Sequence, residues 1–169
     1  MLKKNNLKYD IFFCGYNKER ADRLFQLAKI FENMDLKFKL IIREWGIRQY
    51  FESKKRYGAK HITFFETKYG KTLEYIEESK CILEILKDNQ AGYSMRVMEA
   101  IFFKKKLITN NKEILNAEFY NVSNYFVLGY DNLSDLRKWL DIPYNNTNIE
   151  QYQEKYSVKK WYEQLKILK

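Results

Sequence analysis

Proline and histidine each occur once in this chain of 169 residues, and cysteine twice. The two thiols, Cys14 and Cys81, lie in the apolar settings "IFFCG" and "SKCILEIL" and read as buried free cysteines of a reducing compartment. With one histidine, His61, and no CxxC pair, neither a Cys/His zinc site nor another metal is expected. No apolar run approaches the roughly 20 residues of a membrane-spanning helix. The opening "MLKKNNLKYD" has no signal-peptide core, so the expected location is the cytoplasm. The scarcity of proline accompanies a Tyr-, Lys- and Asn-rich composition of the kind AT-rich coding produces, and carries no functional weight.

What is present is a chain of ordinary domain size, 46% hydrophobic and 17% aromatic, which places it among globular proteins rather than disordered ones. Basic residues outnumber acidic ones 31 to 22, a net charge of +9. Such a surface attracts nucleic acids, anionic membranes or phosphorylated small molecules, or is simply a solvated basic face. The cations are scattered, with clusters only at "SKKR" (Ser53 to Arg56) and "KKK" (Lys104 to Lys106). No RNA- or DNA-binding motif accompanies them, so nucleic acid is not an expected partner.

Apolar periodicity predicts strands alternating with helices. "YDIFFCG" (Tyr9 to Gly15) reads as a buried strand ending at a turn. From Lys18, the spacing of Ala21, Leu24, Phe25, Ala28 and Phe31 predicts a helix, with Asn17 as its cap. Further strands are predicted at Leu36 to Ile42, Ile62 to Glu66, Cys81 to Leu86, Lys106 to Thr109 and Tyr125 to Gly129. Helices are predicted at Lys71 to Lys80, Tyr93 to Lys105, over "LSDLRKWL", and as one terminal helix from Ile149 to Leu168; residues 43–60 are ambiguous. In the helix from Tyr93, Met95, Met98, Ala100, Ile101 and Phe102 form the expected apolar sector. Strands apolar on both faces and alternating with helices imply a doubly wound parallel α/β sheet, Rossmann-like, over residues 1–142. Residues 143–169 read as a linker and a C-terminal helix. Ligands on such sheets bind beyond the carboxyl ends of the strands, which points to the loops after Gly15, Leu86 and Thr109.

One of those loops opens "NQAGYSMRVMEAIFFKKKLITNN" (Asn89 to Asn111). Gly92 permits positive φ or close backbone approach. A helix N-terminus beginning near Ser94 offers N–H groups and partial positive charge to a phosphate. Arg96 falls in the first turn, and Glu99, three residues on, shares its face. A carboxylate there accepts hydrogen bonds from a vicinal diol such as a ribose. The competing reading is an ordinary surface ion pair.

The stretch from Leu83 to Asn111 resembles the donor-binding segment of GT-B glycosyltransferases, especially those of bacterial polysaccharide and lipopolysaccharide biosynthesis. It carries Q-x-G at Gln90, R-x-x-E-A at Arg96, and K-x-I-T-x-N at Lys106. The opening from Tyr9 is similar to the first strand, loop and helix of that lobe. The resemblance implies a single GT-B-type lobe with a C-terminal helix, and a nucleoside diphosphate sugar as the donor, with no cofactor. It implies that Glu99 holds the ribose. Gly92, Tyr93 and Ser94 would face the diphosphate, Arg96 would contact phosphate, and Gln90 belongs to the same junction. Gly15, Asn17, Lys18 and Arg20 match a basic loop near the diphosphate, and Asn110 and Asn111 fall near the donor pocket. The second glutamate usual in retaining members is Ala91 here, and the usual glycine and proline of a following A-x-x-x-G-x-P are Lys104 and Lys106. The absence of a D-x-D triad fits a metal-independent GT-B site. The resemblance leaves the catalytic residue unassigned. It implies an acceptor glycan or lipid-linked sugar, a separate acceptor lobe or subunit touched by Tyr152, Tyr156 and Trp161, and peripheral contact with the cytoplasmic membrane face. A non-catalytic nucleotide-binding or regulatory module on the same fold is the alternative.

Overall fold

A computed structural model describes residues 7–87 and 90–167, without the side chains of residues 161 and 164–167. Its strands are β1 (Tyr9–Tyr16), β2 (Phe38–Arg43), β3 (Ile62–Thr63), β4 (Ser79–Glu84), β5 (Lys106–Thr109) and β6 (Tyr125–Val127). Its α-helices are α1 (Ala21–Asn33), α2 (Ile47–Tyr57), α3 (Tyr69–Glu77), α4 (Met95–Phe102), α5 (Leu136–Asp141), α6 (Ile149–Lys155) and α7 (Val158–Ile167). All strand pairings are parallel, in the order β3-β2-β1-β4-β5-β6. This is the doubly wound order, whose switch point lies between β1 and β4.

Each face of the sheet carries its own core. Leu24, Leu27, Ala28 and Phe31 of α1, with Leu136, Trp139 and Leu140 of α5, cover one face over Ile11, Phe13 and Leu83. Ile76 of α3, Val97, Ala100 and Ile101 of α4, and Ile149 of α6 cover the other, over Phe12, Ile82 and Leu107. Alternate residues of one strand therefore serve opposite cores, which is why the strands read as continuous apolar runs.

Several elements depart from expectation for local reasons. The run from Ile62 pairs only through Thr63, because the Thr63 hydroxyl accepts a hydrogen bond from the Phe65 amide at 3.1 Å and turns the chain out of the ladder. Helix α2 fills the ambiguous segment between extended Gly46 and Gly58 at φ +82°. It buries only Ser53 of its own residues, because Ile47 and Phe51 on its apolar side stay exposed, so its apolar residues mark no core face. In α4 the buried stripe is Val97, Ala100 and Ile101, whereas Met95 and Phe102 are exposed. Helix α4 ends at Phe102 because Lys104 turns left-handed (φ 52°), while the Lys105 amide reaches the Ala100 carbonyl at 2.9 Å. The expected single terminal helix is two. The break falls at Ser157, whose hydroxyl accepts from the Lys160 amide at 3.1 Å and starts α7. Tyr152 and Tyr156 pack on this chain, edge-on to Phe119, and both donate to Glu118. The Trp161 side chain and Leu168 lie outside the described residues.

Candidate functional site

The carboxyl ends of β1, β2 and β4 and the start of α4 enclose a cleft of about 590 Å³, a size typical of small-molecule sites. Its position at the switch point follows from the topology, since the chain leaves β1 and β4 toward opposite faces and opens a crevice between them.

The floor is built from Glu84, at the last position of β4, and is almost fully buried. One carboxylate oxygen accepts from the Ser94 hydroxyl and the other from the Thr109 hydroxyl. Burial pushes the Glu84 carboxyl upward, opposed by these two hydrogen bonds and by the charges of Arg96 and Arg20. Ser94 also caps α4, its oxygen accepting from the Arg96 amide at 3.0 Å. The helix start is thus tied to the strand end, and its partial positive charge opens onto the cleft.

Two guanidinium groups flank this floor. Arg20 donates to the carbonyls of Tyr16 (2.5 Å), Ile85 (2.5 Å) and Asn17 (3.2 Å). Burial and then the charge of Arg96 lower its pKa. Arg96 donates to the Cys14 carbonyl at 2.6 Å and forms an ion pair with Glu99. Together they satisfy the carbonyls of Cys14 and Tyr16 in β1 and of Ile85 just after β4.

Glu99 is 4% exposed, yet its Oε1 atom has no hydrogen-bond partner among the described residues. The phenol of Tyr69 approaches Glu99, whose charge and hydrogen-bonding contact raise its pKa behind the larger effect of burial, but the contact is too loose to count as a hydrogen bond to Oε1. A second unpartnered buried atom, Arg43 Nε, also belongs to a residue of the cleft wall. Its guanidinium lies over the Tyr16 ring at 4.8 Å and 3.5 Å from Glu66. An acceptor and a donor left unsatisfied in one crevice, each at a cost of about 1–3 kcal/mol, are what a polar ligand would complete.

Gly15, Lys18, Arg20, Gln90, Ser94, Arg96 and Glu99 from the sequence expectation come together on this wall. The others stand behind it as supports. Asn17 is not the N-cap residue expected of it, since Lys18 and Glu19 take positive φ and α1 begins only at Ala21 after Arg20, but it accepts from the Ala21 amide at 2.8 Å and donates to Glu44 at 2.7 Å. Gly92 (φ +80°) gives its amide to Glu113 and receives Asn111 on its carbonyl, both at 3.0 Å, so its backbone polar groups are already engaged. The Tyr93 ring meets Phe119 edge-on at 5.1 Å. Asn110 clamps both backbone groups of Leu86, at 2.6 and 3.1 Å. Glu84, Arg43, Tyr69 and Thr67 line the cleft without having been singled out by sequence. For Glu84 the signal was there, as the only charge in "CILEIL" and at its carboxyl half.

No family model and no curated protein matches the chain. Solved structures do. The C-terminal domain of LpcC, a group 1 family glycosyl transferase from Francisella tularensis, superposes with a TM-score of 0.57 at 14% identity, covering 92% of this chain and 90% of that one. AviGT4, a glycosyltransferase involved in avilamycin A biosynthesis, gives 0.54 at 16% identity over 90% of this chain. The chain spans 52% of the length of AviGT4. In architecture, this chain is a single α/β lobe with the fold of the C-terminal domain of a glycosyltransferase.

Proposed function

We propose that the chain is the donor-binding lobe of a glycosyltransferase and binds a nucleoside diphosphate sugar in the cleft between β1 and β4. The observation that carries this reading is the buried, unpartnered Oε1 of Glu99. A ribose diol supplies hydroxyl donors to such an oxygen. The α4 N-terminus and the side chains of Lys18, Arg20 and Arg96 would face the diphosphate. Transfer would then rest on stabilising the departing diphosphate, whose charge grows as the glycosidic bond breaks. The acceptor, a surface polysaccharide or lipopolysaccharide precursor glycan or a lipid-linked sugar, would be held by a separate lobe or subunit. Its hydroxyl must be held against the sugar, because positioning supplies roughly 7–11 kcal/mol of such a barrier. Donor binding is proposed to need no divalent metal, since the positive charge at the diphosphate comes from side chains and the helix.

The test is thermal denaturation in the presence of UDP, GDP, CDP, ADP and FMN, each with and without EDTA. At least one nucleoside diphosphate should raise the midpoint, FMN should not, and EDTA should leave the shift unchanged. A shift that EDTA abolishes and Mg²⁺ or Mn²⁺ restores would overturn the metal-independent reading. A shift with FMN alone would overturn the donor reading.

A further inference from the structure

A second cavity, of about 520 Å³, lies on the β2 side of the cleft between the start of α1 and helix α2. Lys18 lines both, and an aromatic pair stands between them. Tyr16 lines the cleft, Trp45 lines the second cavity, and their rings stack at 3.9 Å with an angle of 11°. With one face on Tyr16, Trp45 is still 66% exposed, so its other face is open. An indole held flat by one neighbour and open on its other side is a stacking platform.

The polar groups beside it point to the ligand. Glu44 lines the cavity, is 5% exposed, and accepts from Asn17 and Ser53 on one carboxylate oxygen. Among the described residues its other oxygen accepts from no group, and no lysine or arginine pairs with the carboxylate. A buried charge with one oxygen unused carries a desolvation cost that a donor from a ligand would reduce. At the rim, Asp22 accepts from Arg56 at 2.9 and 3.0 Å and from Tyr57 at 2.7 Å, which fixes the guanidinium in place. Glu19, Asp22, Glu44 and Glu52 line this cavity against Lys18 and Arg56 alone, in a chain whose net charge is +9. That local excess of carboxylates repels a phosphate and sets the cavity apart from the cleft. An ammonium ion can only donate, and would meet Lys18 and Arg56 with like charge. A hydroxyl both donates to Glu44 and accepts from Gln49 or Arg56. The C–H face of a pyranose ring covers an open indole, where dispersion and the negative ring face both favour it.

We propose that this second cavity binds a neutral saccharide unit, stacked on Trp45 and hydrogen-bonded to Glu44. Because Lys18 belongs to both walls, a glycan held there lies beside the diphosphate end of the cleft. Saccharide binding follows from this cavity's own groups, and only its nearness to the transfer site rests on the donor reading.

The experiment is saturation-transfer NMR on the 169-residue chain with the methyl glycosides of glucose, galactose, mannose and N-acetylglucosamine, and with glucuronic acid and spermidine as charged controls. At least one neutral glycoside should receive saturation, and neither charged control should bind more tightly than it. Trp45→Ala should weaken that binding roughly fivefold or more, and Glu44→Gln by a similar factor. Trp45 is exposed, so its variant should keep the wild-type melting midpoint and decides the matter even if Glu44→Gln fails to fold. A nucleoside diphosphate that shifts the midpoint should leave the glycoside bound, since the two occupy separate cavities. Binding of a glycoside with no nucleotide-induced shift would support this site while the donor reading failed. Absence of binding by every neutral glycoside, binding undiminished in the folded Trp45→Ala variant, displacement by nucleotide, or a preference for glucuronic acid or spermidine would overturn the proposal.

Discussion

The two sides of this sheet's carboxyl edge are built on opposite plans. On the β4–β5 side, the polar groups at the strand ends are buried and tied to one another. Glu84 holds Ser94 and Thr109, Asn110 holds Leu86, and Asn111 and Glu113 hold Gly92. On the β2–β3 side, Glu44 is also buried and accepts from Asn17 and Ser53, but the edge strand has two residues, α2 buries one side chain of its own, and Trp45, Ile47, Phe51 and Phe65 are exposed. One side fixes a geometry and the other presents a surface. A site that must place a phosphate and a ribose to within a fraction of an ångström needs the first plan, because floppy cations and carboxylates would give back in entropy what they gain in contact.

This contrast predicts graded responses to mutation. The largest effect is expected at Glu84. Glu84→Ala leaves the Ser94 and Thr109 hydroxyls buried without their acceptor and should cost about 2–4 kcal/mol in chemical denaturation. A loss below about 1 kcal/mol would mean the network contributes little, and the contrast would lose its basis.

A pH experiment probes the same side from beneath. Lys106 begins β5, is 4% exposed, and donates to the Trp139 carbonyl with its ammonium over the indole ring. Burial lowers its pKa to about 8. Below that value the folded protein carries a buried cation at a cost, and between about 8 and 10.5 the unfolded chain holds a proton that the folded one has released. Stability should therefore rise with pH across this window, by an amount on the order of 2–3 kcal/mol once solvent screening is discounted. Lys106→Met should flatten the rise, read as melting midpoints just below and just above pH 8 and again near pH 10. A rise that persists in the variant would assign it to another group.

Lys104 offers a gain rather than a loss. It takes a left-handed conformation at the C-terminal cap of α4, where a residue with a Cβ is strained. Lys104→Gly should stabilise by about 0.5–1 kcal/mol in the same denaturation assay, and a destabilised variant would contradict the strain. The smallest effect belongs to the outward side. Phe51→Ser with Phe65→Ser should change stability by no more than about 0.5 kcal/mol, and a larger loss would show that those rings support the core after all.

The division also marks what could be read from sequence. Strand β5 appears as expected, and α1 was legible because Leu24, Ala28 and Phe31 recur at helical spacing and are buried. Arg96 and Glu99 were legible as a cation and a carboxylate sharing one helix face, and Ser94 only through the resemblance, its capping of α4 appearing first in the structure. Helix α2 was not, because nearly all of its own side chains face away from the core. Glu84 carried a signal as a lone charge in an apolar strand, but its partners Ser94 and Thr109 are brought to it only by the fold. The polar residues at the next strand end misled in the other direction. Asn110 and Asn111 look like ligand-facing groups, but the loop's own backbone donors and acceptors claim them first. Nor does the sequence show that Lys18, Glu19 and Lys104 adopt positive φ, conformations that glycine usually supplies.

The most direct test concerns the unpartnered oxygen of Glu99. Calorimetric titration should compare each nucleoside diphosphate that shifts the melting midpoint with its 2′-deoxy counterpart, in the wild type and in Glu99→Ala. The comparison matters because removing Glu99 also frees Arg96, which strengthens phosphate binding and masks a lost ribose contact. The wild type should favour the ribonucleotide by about 1.5–3 kcal/mol, the value of a hydrogen bond to a charged group, and the preference should vanish in Glu99→Ala. A wild type indifferent to the 2′-hydroxyl, or a preference that survives in the folded variant, would contradict the ribose role of Glu99.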